Sequence, residues 1–149
     1  MNNLLSITDV IAQKYPNIMA SFKEFNGSLA ESKYKPLVMY DMGVEAGRKI
    51  FLSKYKSLKV DDSIGQMLKK IVLPTIEPFS LAKIKENELH VTMCPFCIHI
   101  KEATSSAQCD FLRGLICGLI SPIQQVSVAE VQCRAQKHSA CVFLVNKKY

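Results

Sequence analysis

The stretch "AEVQCRAQKHSACVF", Ala129 to Phe143, places a glutamate three residues before one cysteine, and that cysteine eight residues before another. Thiolates and carboxylates ligate metals and thiols also do redox chemistry, so metal binding, redox chemistry and plain core packing are the alternatives. If the segments on either side of the polar turn form a hairpin, a register centred on Lys137 sets Cys133 directly opposite Cys141. Opposed residues share a sheet face and approach to about 4.5–5.5 Å at Cβ. Glu130 lies at an odd offset from Cys133, so a regular strand sends it to the other face as a surface carboxylate. It joins the cysteines only if one extra residue is absorbed, which a β-bulge at Val131-Gln132 would do.

Cys109 follows Ser105 and Ser106, either of which caps a helix; Cys109 then falls in the first turn, where backbone N–H groups and the helix dipole favour its thiolate. Three thiolates and one carboxylate make a closed tetrahedral set for zinc, and a closed set is structural because no position is left for water. "MCPFCIH" is a rival. Cys94 and Cys97, with His99 two residues on, read as a second metal site, a haem or cofactor site, a dithiol redox pair, or packing at a pocket edge. Cys94 and Cys97 with Cys133 and Cys141 form a competing zinc set. Cys117, between apolar residues, reads as a buried thiol. His90 alternates outward on its strand and His138 falls in a turn, so both read as solvent-facing.

The elements that must position these residues read as α+β. Leu4, Ile7, Val10 and Ile11 recur at helical spacing, and Tyr15-Pro16 breaks into "NIMASFKEF", giving two short N-terminal helices. "PLVMYDMGVEAGRKIFLSKY" carries a stripe of Val38, Met42, Ala46 and Ile50, with Glu45 one turn before Lys49 on another face. "DDSIGQMLKKIVLPTI" starts at Asp caps and ends at Pro74. Beyond Pro78 the period changes to two, with strands near 80–86 and 88–94 around a turn at Asn87. "SAQCDFLRGLICGLISPI" returns to helical period and stops at Pro122, and two β-branched strands follow, Val126 to Gln136 and Cys141 to Lys147. The expectation is one domain over 1–149, mainly helical over 1–78 and hairpin, helix, hairpin over 79–149: a four-stranded antiparallel sheet covered by helices. Gly43 and Gly47 lie one turn apart, as do Gly114 and Gly118. A mid-helix glycine costs about 1 kcal/mol relative to Ala, so something must approach those faces closely, another element or a ligand.

A chain of 149 residues has room for one real core, since a body of that size buries about 68–70% of its unfolded surface. Hydrophobic residues at 48% and charged residues at 21% exclude disorder and fibrous repeats. The net charge of +6 comes mostly from scattered lysines, with three arginines and no Trp, which argues against a nucleic-acid face. The N-terminus lacks a basic start and an uninterrupted apolar core, and no window approaches the roughly 20 apolar residues of a membrane span. A cytoplasmic location is therefore expected, where six cysteines read as thiols, ligands or redox groups rather than structural disulfides.

"CDFLRGLICGLI", "AEVQC" and "CVF" together resemble the C-terminal half of the 4-vinyl reductase domain family of small-molecule and hydrocarbon-binding domains. "YDMGVEAGRKI" resembles that family's Gly-x-x-x-Gly-Arg helix, so the likeness spans about Tyr40 to Phe143. The resemblance implies a fold related to transport-particle subunits and haem nitric oxide sensors, with dimerisation through helices and a buried pocket for a small hydrophobic molecule. It also implies zinc on Cys109, Glu130, Cys133 and Cys141, because the equivalent residues hold zinc in the family's phenol-sensing domains. The chain departs from the family at Lys137, His138 and Ser139, where Gly-Asp-Pro is usual. The phenol-contacting His and Trp of those sensors have no counterpart.

No nucleophile elbow, phosphate loop, paired acids or nucleotide fingerprint is present in the sequence. The expected function is a non-enzymatic domain, homodimeric through its N-terminal helices, that binds or senses a hydrophobic or aromatic small molecule and is stabilised by structural zinc. Met93, Phe96 and Phe111 flank the sheet-to-helix crossover and are the candidate pocket lining. The alternative is a redox or tetrapyrrole and haem-handling protein that uses Cys94, Cys97 and His99 with a second metal or cofactor. A third reading is a scaffold that only dimerises.

Overall fold

Period-two alternation of apolar side chains builds a four-stranded antiparallel sheet in which Ala82–Lys85, Glu88–Val91, Cys141–Lys147 and Val126–Gln132 lie side by side in that order. The computed structural model describes residues 35–59, 63–78, 80–92, 109–133 and 138–148. Within them, α1 spans Lys35–Lys54, and α2 joins an α turn Ile64–Met67, a π segment Leu68–Val72 and a last α turn Leu73–Ile76. Strands β1 (Ala82–Lys85) and β2 (Glu88–Val91) precede α3 (Asp110–Ile120), and β3 (Val126–Gln132) and β4 (Cys141–Lys147) close the chain. The fold class is α+β, as the patterns predict. The expected N-terminal helices, and Met93, Cys94, Phe96, Cys97 and His99, lie outside the described residues.

The first hairpin is shorter than the expected 80–86 and 88–94. Its ladder runs from Lys85↔Glu88 to Ala82↔Val91, and Thr92 closes the open end by donating its N–H and its hydroxyl to the Leu81 carbonyl at 2.8 and 3.1 Å. At the tip Glu86 takes a left-handed φ of 58°. Asn87 ties that tip to β4: its Nδ2 donates to Val145 O at 3.1 Å, and its carbonyl accepts the Val145 N–H at 3.0 Å. In α2 the described cap is Ser63, whose hydroxyl accepts the Gln66 N–H at 3.2 Å. The helix does not stop at Pro74 but continues to Ile76. Proline lacks an N–H and collides with the carbonyl four residues back in an α-helix. The π segment widens the preceding turn, with the Leu73 N–H reaching back five residues to Leu68 O, and the helix passes the proline.

The buried face of α1 differs from the predicted stripe. Val38, Met42 and Ala46 are half-buried, while Met39, Gly43, Gly47 and Ile50 face inward. The glycines set this rotation, because α1 crosses α3 with backbone against backbone. A Cβ on Gly47 would stand 2.5 Å from Leu115 O and 2.7 Å from Leu119 N; one on Gly43 would meet Phe111 O, and one on Gly114 would meet Tyr40 O. The two glycine pairs predicted to allow close approach therefore approach each other. Helix α3 lies against the sheet, and the core between them includes Leu89, Val91, Leu112, Ile116, Phe143 and Val145, all fully buried. Truncating a fully buried Phe such as Phe143 to Ala costs about 3–5 kcal/mol. Among the described residues no helix is long and apolar enough to cross a membrane.

Candidate metal centre

Strand β3 pairs with β4 in one register from Val126↔Lys147 to Glu130↔Phe143, and in the next at Gln132↔Val142. The shift falls between Glu130 and Gln132, so Val131 is the extra residue, half exposed at 50%. This bulge sits where Glu130 needs one to join the cysteines. Before it, Val126, Val128 and Glu130 share the inner face; after it, Cys133 returns to that same face. The His138 N–H donates to Cys133 O at 3.4 Å across the connection and draws Cys133 toward the start of β4. Cys141 opens β4 opposite Val91 of β2.

Cys109 arrives from the other side. It is the N-cap residue of α3 rather than a first-turn residue behind Ser105 or Ser106, and its N–H donates to Glu130 Oε1 at 3.1 Å. That bond uses the first free N–H of the helix start on a carboxylate from the sheet, which fixes where the helix begins. The chain thus brings Cys109, Glu130, Cys133 and Cys141 together, with one ligand atom from each lying within 4.8 Å of all the others. All three sulfurs are fully buried, and each belongs to a thiol.

Two features of this group fit a metal ion. Cys109 Sγ and Cys141 Sγ stand 3.7 Å apart; two thiolates bound tetrahedrally at about 2.3 Å from zinc are about 3.8 Å apart. Glu130 Oε2 is buried and has no hydrogen-bond partner among the described residues, a defect that costs about 1–3 kcal/mol, and more for a charge, unless something occupies it. Burial, and then the charges of Cys133 and Cys141, push the Glu130 carboxyl up to about 9. Four acidic groups in one dry corner oppose one another's ionisation, and a divalent cation reverses that opposition.

Of the other predicted residues, Phe111 is fully enclosed in the core at the α1–α3 crossing. The rival set with Cys94 and Cys97 falls partly outside the described residues. Cys117 is a buried thiol with Sγ 3.9 Å from Val126 O. His138 is exposed, whereas His90 is half-buried and pairs with Glu88 Oε1 at 3.0 Å. Glu45 bonds Lys49 at 3.2 Å on the exposed side of α1, as their spacing predicts. One neighbour of the site escaped the sequence reading. Arg113 is the one cation in the apolar run "DFLRGLICGLI", and an isolated cation in a buried helix face is the signal that would have found it. It lies over the ring of Tyr40, whose phenol is pushed up to about 12, first by burial and next by a hydrogen bond with Cys117. The phenol therefore stays neutral, and the contact is one between a cation and a ring face.

No protein-family model matches the chain, and no curated protein matches it. Among solved structures it is similar to the phenol-responsive sensory domain of the transcription activator PoxR with phenol. The identity is 18%, the match covers 86% of this chain and 71% of that one, and the TM-score is 0.61. The chain has the fold of a phenol-sensing domain. A vinyl-4-reductase family protein from Methanocaldococcus jannaschii is also similar, at 20% identity over 98% of this chain and 92% of that one, with a TM-score of 0.48. An H-NOX protein from S. oneidensis in its Fe(II)NO ligation state matches at 9% identity over the full length of both chains, with a TM-score of 0.48.

Proposed function

We propose that this protein is a non-enzymatic domain that binds or senses a small hydrophobic or aromatic molecule, and that structural zinc on Cys109, Glu130, Cys133 and Cys141 stabilises it. One observation carries the zinc reading: four ligand atoms from three separate elements converge in a buried corner where one carboxylate oxygen has no protein partner among the described residues. Bound zinc would complete a closed coordination shell and supply cohesion rather than reactivity. The ions that share this geometry are soft enough for thiolates, and three sulfurs with one oxygen suit zinc over magnesium or calcium. The ligand half of the reading is supported by the shared fold with a domain that responds to phenol. On this reading the protein works in the cytoplasm, where its thiols stay reduced, and acts as a homodimer.

Metal analysis and native mass spectrometry of the protein as isolated test both halves. The expected result is one zinc per chain, lost in Cys133→Ser and retained in Cys94→Ser; loss in both variants transfers the site to the rival set of Cys94, Cys97, Cys133 and Cys141, and loss in Cys94→Ser alone overturns the assignment. For the ligand, phenol and larger aromatic or aliphatic alcohols are added during thermal unfolding. A saturable rise in midpoint supports sensing, since a ligand that binds only the folded state stabilises it by mass action. No rise with any member of the series, and no small molecule retained in the native spectrum, overturns the ligand half.

A further inference from the structure

Arg113 is held on three sides. Its Cζ lies 4.1 Å from the centroid of the Tyr40 ring of α1. Its Nη1 donates to Val128 O of β3 at 3.3 Å, and its Nη2 donates to Asp110 Oδ1 in the first turn of α3 at 3.5 Å. Its own backbone N–H donates to Cys109 O at 3.0 Å. Within one residue, the start of α3, the strand that carries Glu130 and the long helix α1 are joined.

The Val128 bond has a specific meaning, because β3 is at the edge of the sheet. The Lys148 N–H donates to Gln125 O at 2.9 Å, which makes those two residues a hydrogen-bonded pair in the β3–β4 register. Antiparallel alternation then turns the carbonyls of Val126 and Val128 away from β4 and toward the open edge. Side chains of α3 one turn apart meet both: Cys117 at Val126 O and Arg113 at Val128 O. Helix α3 is thereby registered along β3 carbonyl by carbonyl, and the next inner-face residue of β3 is Glu130, whose Oε1 accepts the Cys109 N–H. A slide of α3 along β3 would separate Cys109 from Glu130 and Cys133, and the guanidinium resists that slide through its bond to Val128 O and its stacked face, while the bond to Asp110 within α3 holds the fork in that orientation.

We propose that Arg113 is the positioning residue of the metal centre, setting the offset between the α3 start that carries Cys109 and the β3 end that carries Glu130 and Cys133, with Tyr40 as its platform. This rests on the metal reading above. Lysine in the same place keeps the charge but loses the fork and the stack.

The test is a titration of the reduced, metal-free protein with Co2+, read by sulfur-to-cobalt charge-transfer and ligand-field absorption, with zinc affinity measured by competition. Arg113→Lys is expected to bind about tenfold more weakly, the usual effect of removing a partner that orients metal ligands, with an altered ligand-field band at saturation. Tyr40→Phe keeps the platform and the wild-type affinity, whereas Tyr40→Leu weakens binding about threefold, the scale of one cation–ring contact. Thr75→Ala is the control for general loss of stability. Thr75 is buried in α2 and bonded to Tyr55 at 3.0 Å, so this variant should unfold at lower temperature with unchanged cobalt affinity and spectrum. If the wild type takes up no cobalt, the metal reading falls. If the wild type binds and Arg113→Lys binds equally well with the same spectrum, this inference alone falls; should Arg113→Lys not fold, unchanged affinity in Tyr40→Leu overturns it.

Discussion

Along Gly114 and Gly118, α3 meets α1 with bare backbone, whereas at Cys109 it meets the sheet through sulfurs and a carboxylate. The first contact is shape alone. At the glycines it is backbone against backbone, and its fit does not depend on a bound ion. The second gathers four acidic groups in a buried corner, where they repel one another unless they are protonated or share a cation. One helix is therefore fixed unconditionally along its length and conditionally at its start, and the conditional end is where a change in solution conditions acts on the fold.

Metal removal should break this comparison most strongly. A site filled at a thousandfold excess over its dissociation constant adds about 4 kcal/mol to stability, so chelation should lower the unfolding midpoint by many degrees. Cys141→Ser should reproduce the loss and abolish any further response to chelator. Scanning calorimetry with and without chelator measures both. A midpoint insensitive to chelator would make the two ends of α3 alike and remove the conditional one.

Disturbing the glycine crossing should have the next largest effect. Gly114→Val drives a branched side chain into the Tyr40 carbonyl, which must move because backbone cannot rotate away; overpacking of this kind costs about 1–3 kcal/mol. The variant should still bind one metal ion per chain, since the cysteine corner lies a turn away. Loss of both stability and metal would mean that the crossing and the corner form one unit, joined through Arg113 and Tyr40.

The corner was the more legible of the two regions. Counting outward from Lys137 faced Cys133 with Cys141, and bringing Glu130 round to join them, as the family resemblance implied, needed a bulge that the strand register contains. Parity along a strand is a local rule, so it survives folding. The inner face of α1 was legible only in part, because the stripe drawn through Val38, Met42, Ala46 and Ile50 gives glycine no weight and only Ile50 of it is buried, whereas the spacing of Gly43 and Gly47 marked the face that a neighbour approaches. The passage of α2 beyond Pro74 was hidden for a related reason. Proline ends an isolated helix, and a widened turn packed against α3 lets this one continue. Likewise, Cys109 became the cap residue because a carboxylate 21 residues later accepts its N–H, which no local reading of the serines before it supplies.

The pH response sharpens the contrast further. Glu130 has its carboxyl raised from 4.5 to about 9 in the metal-free fold, so the folded state holds a proton that the unfolded chain releases. The associated stability is fully present below about pH 4.5 and is lost as pH rises through about 9. Metal-free wild type should therefore weaken between those limits, and Glu130→Gln should flatten the slope. Loaded protein should show the opposite trend, because thiols and carboxyl must shed protons to bind, and affinity grows with pH. Urea unfolding across pH 5 to 9, with and without zinc, reads both signs at once, and parallel slopes would contradict the site.

The smallest effect belongs to the side of α1 that faces neither region. Glu45 and Lys49 bond at 3.2 Å with side chains 70% and 67% exposed, and an exposed pair one helical turn apart contributes about 0.3–0.5 kcal/mol. Glu45→Gln should therefore shift the midpoint by about a degree or two, less at high salt, with metal content unchanged. A larger loss, insensitive to salt, would show that this face of α1 is covered by a further surface, and α1 would then join two contacts instead of closing one.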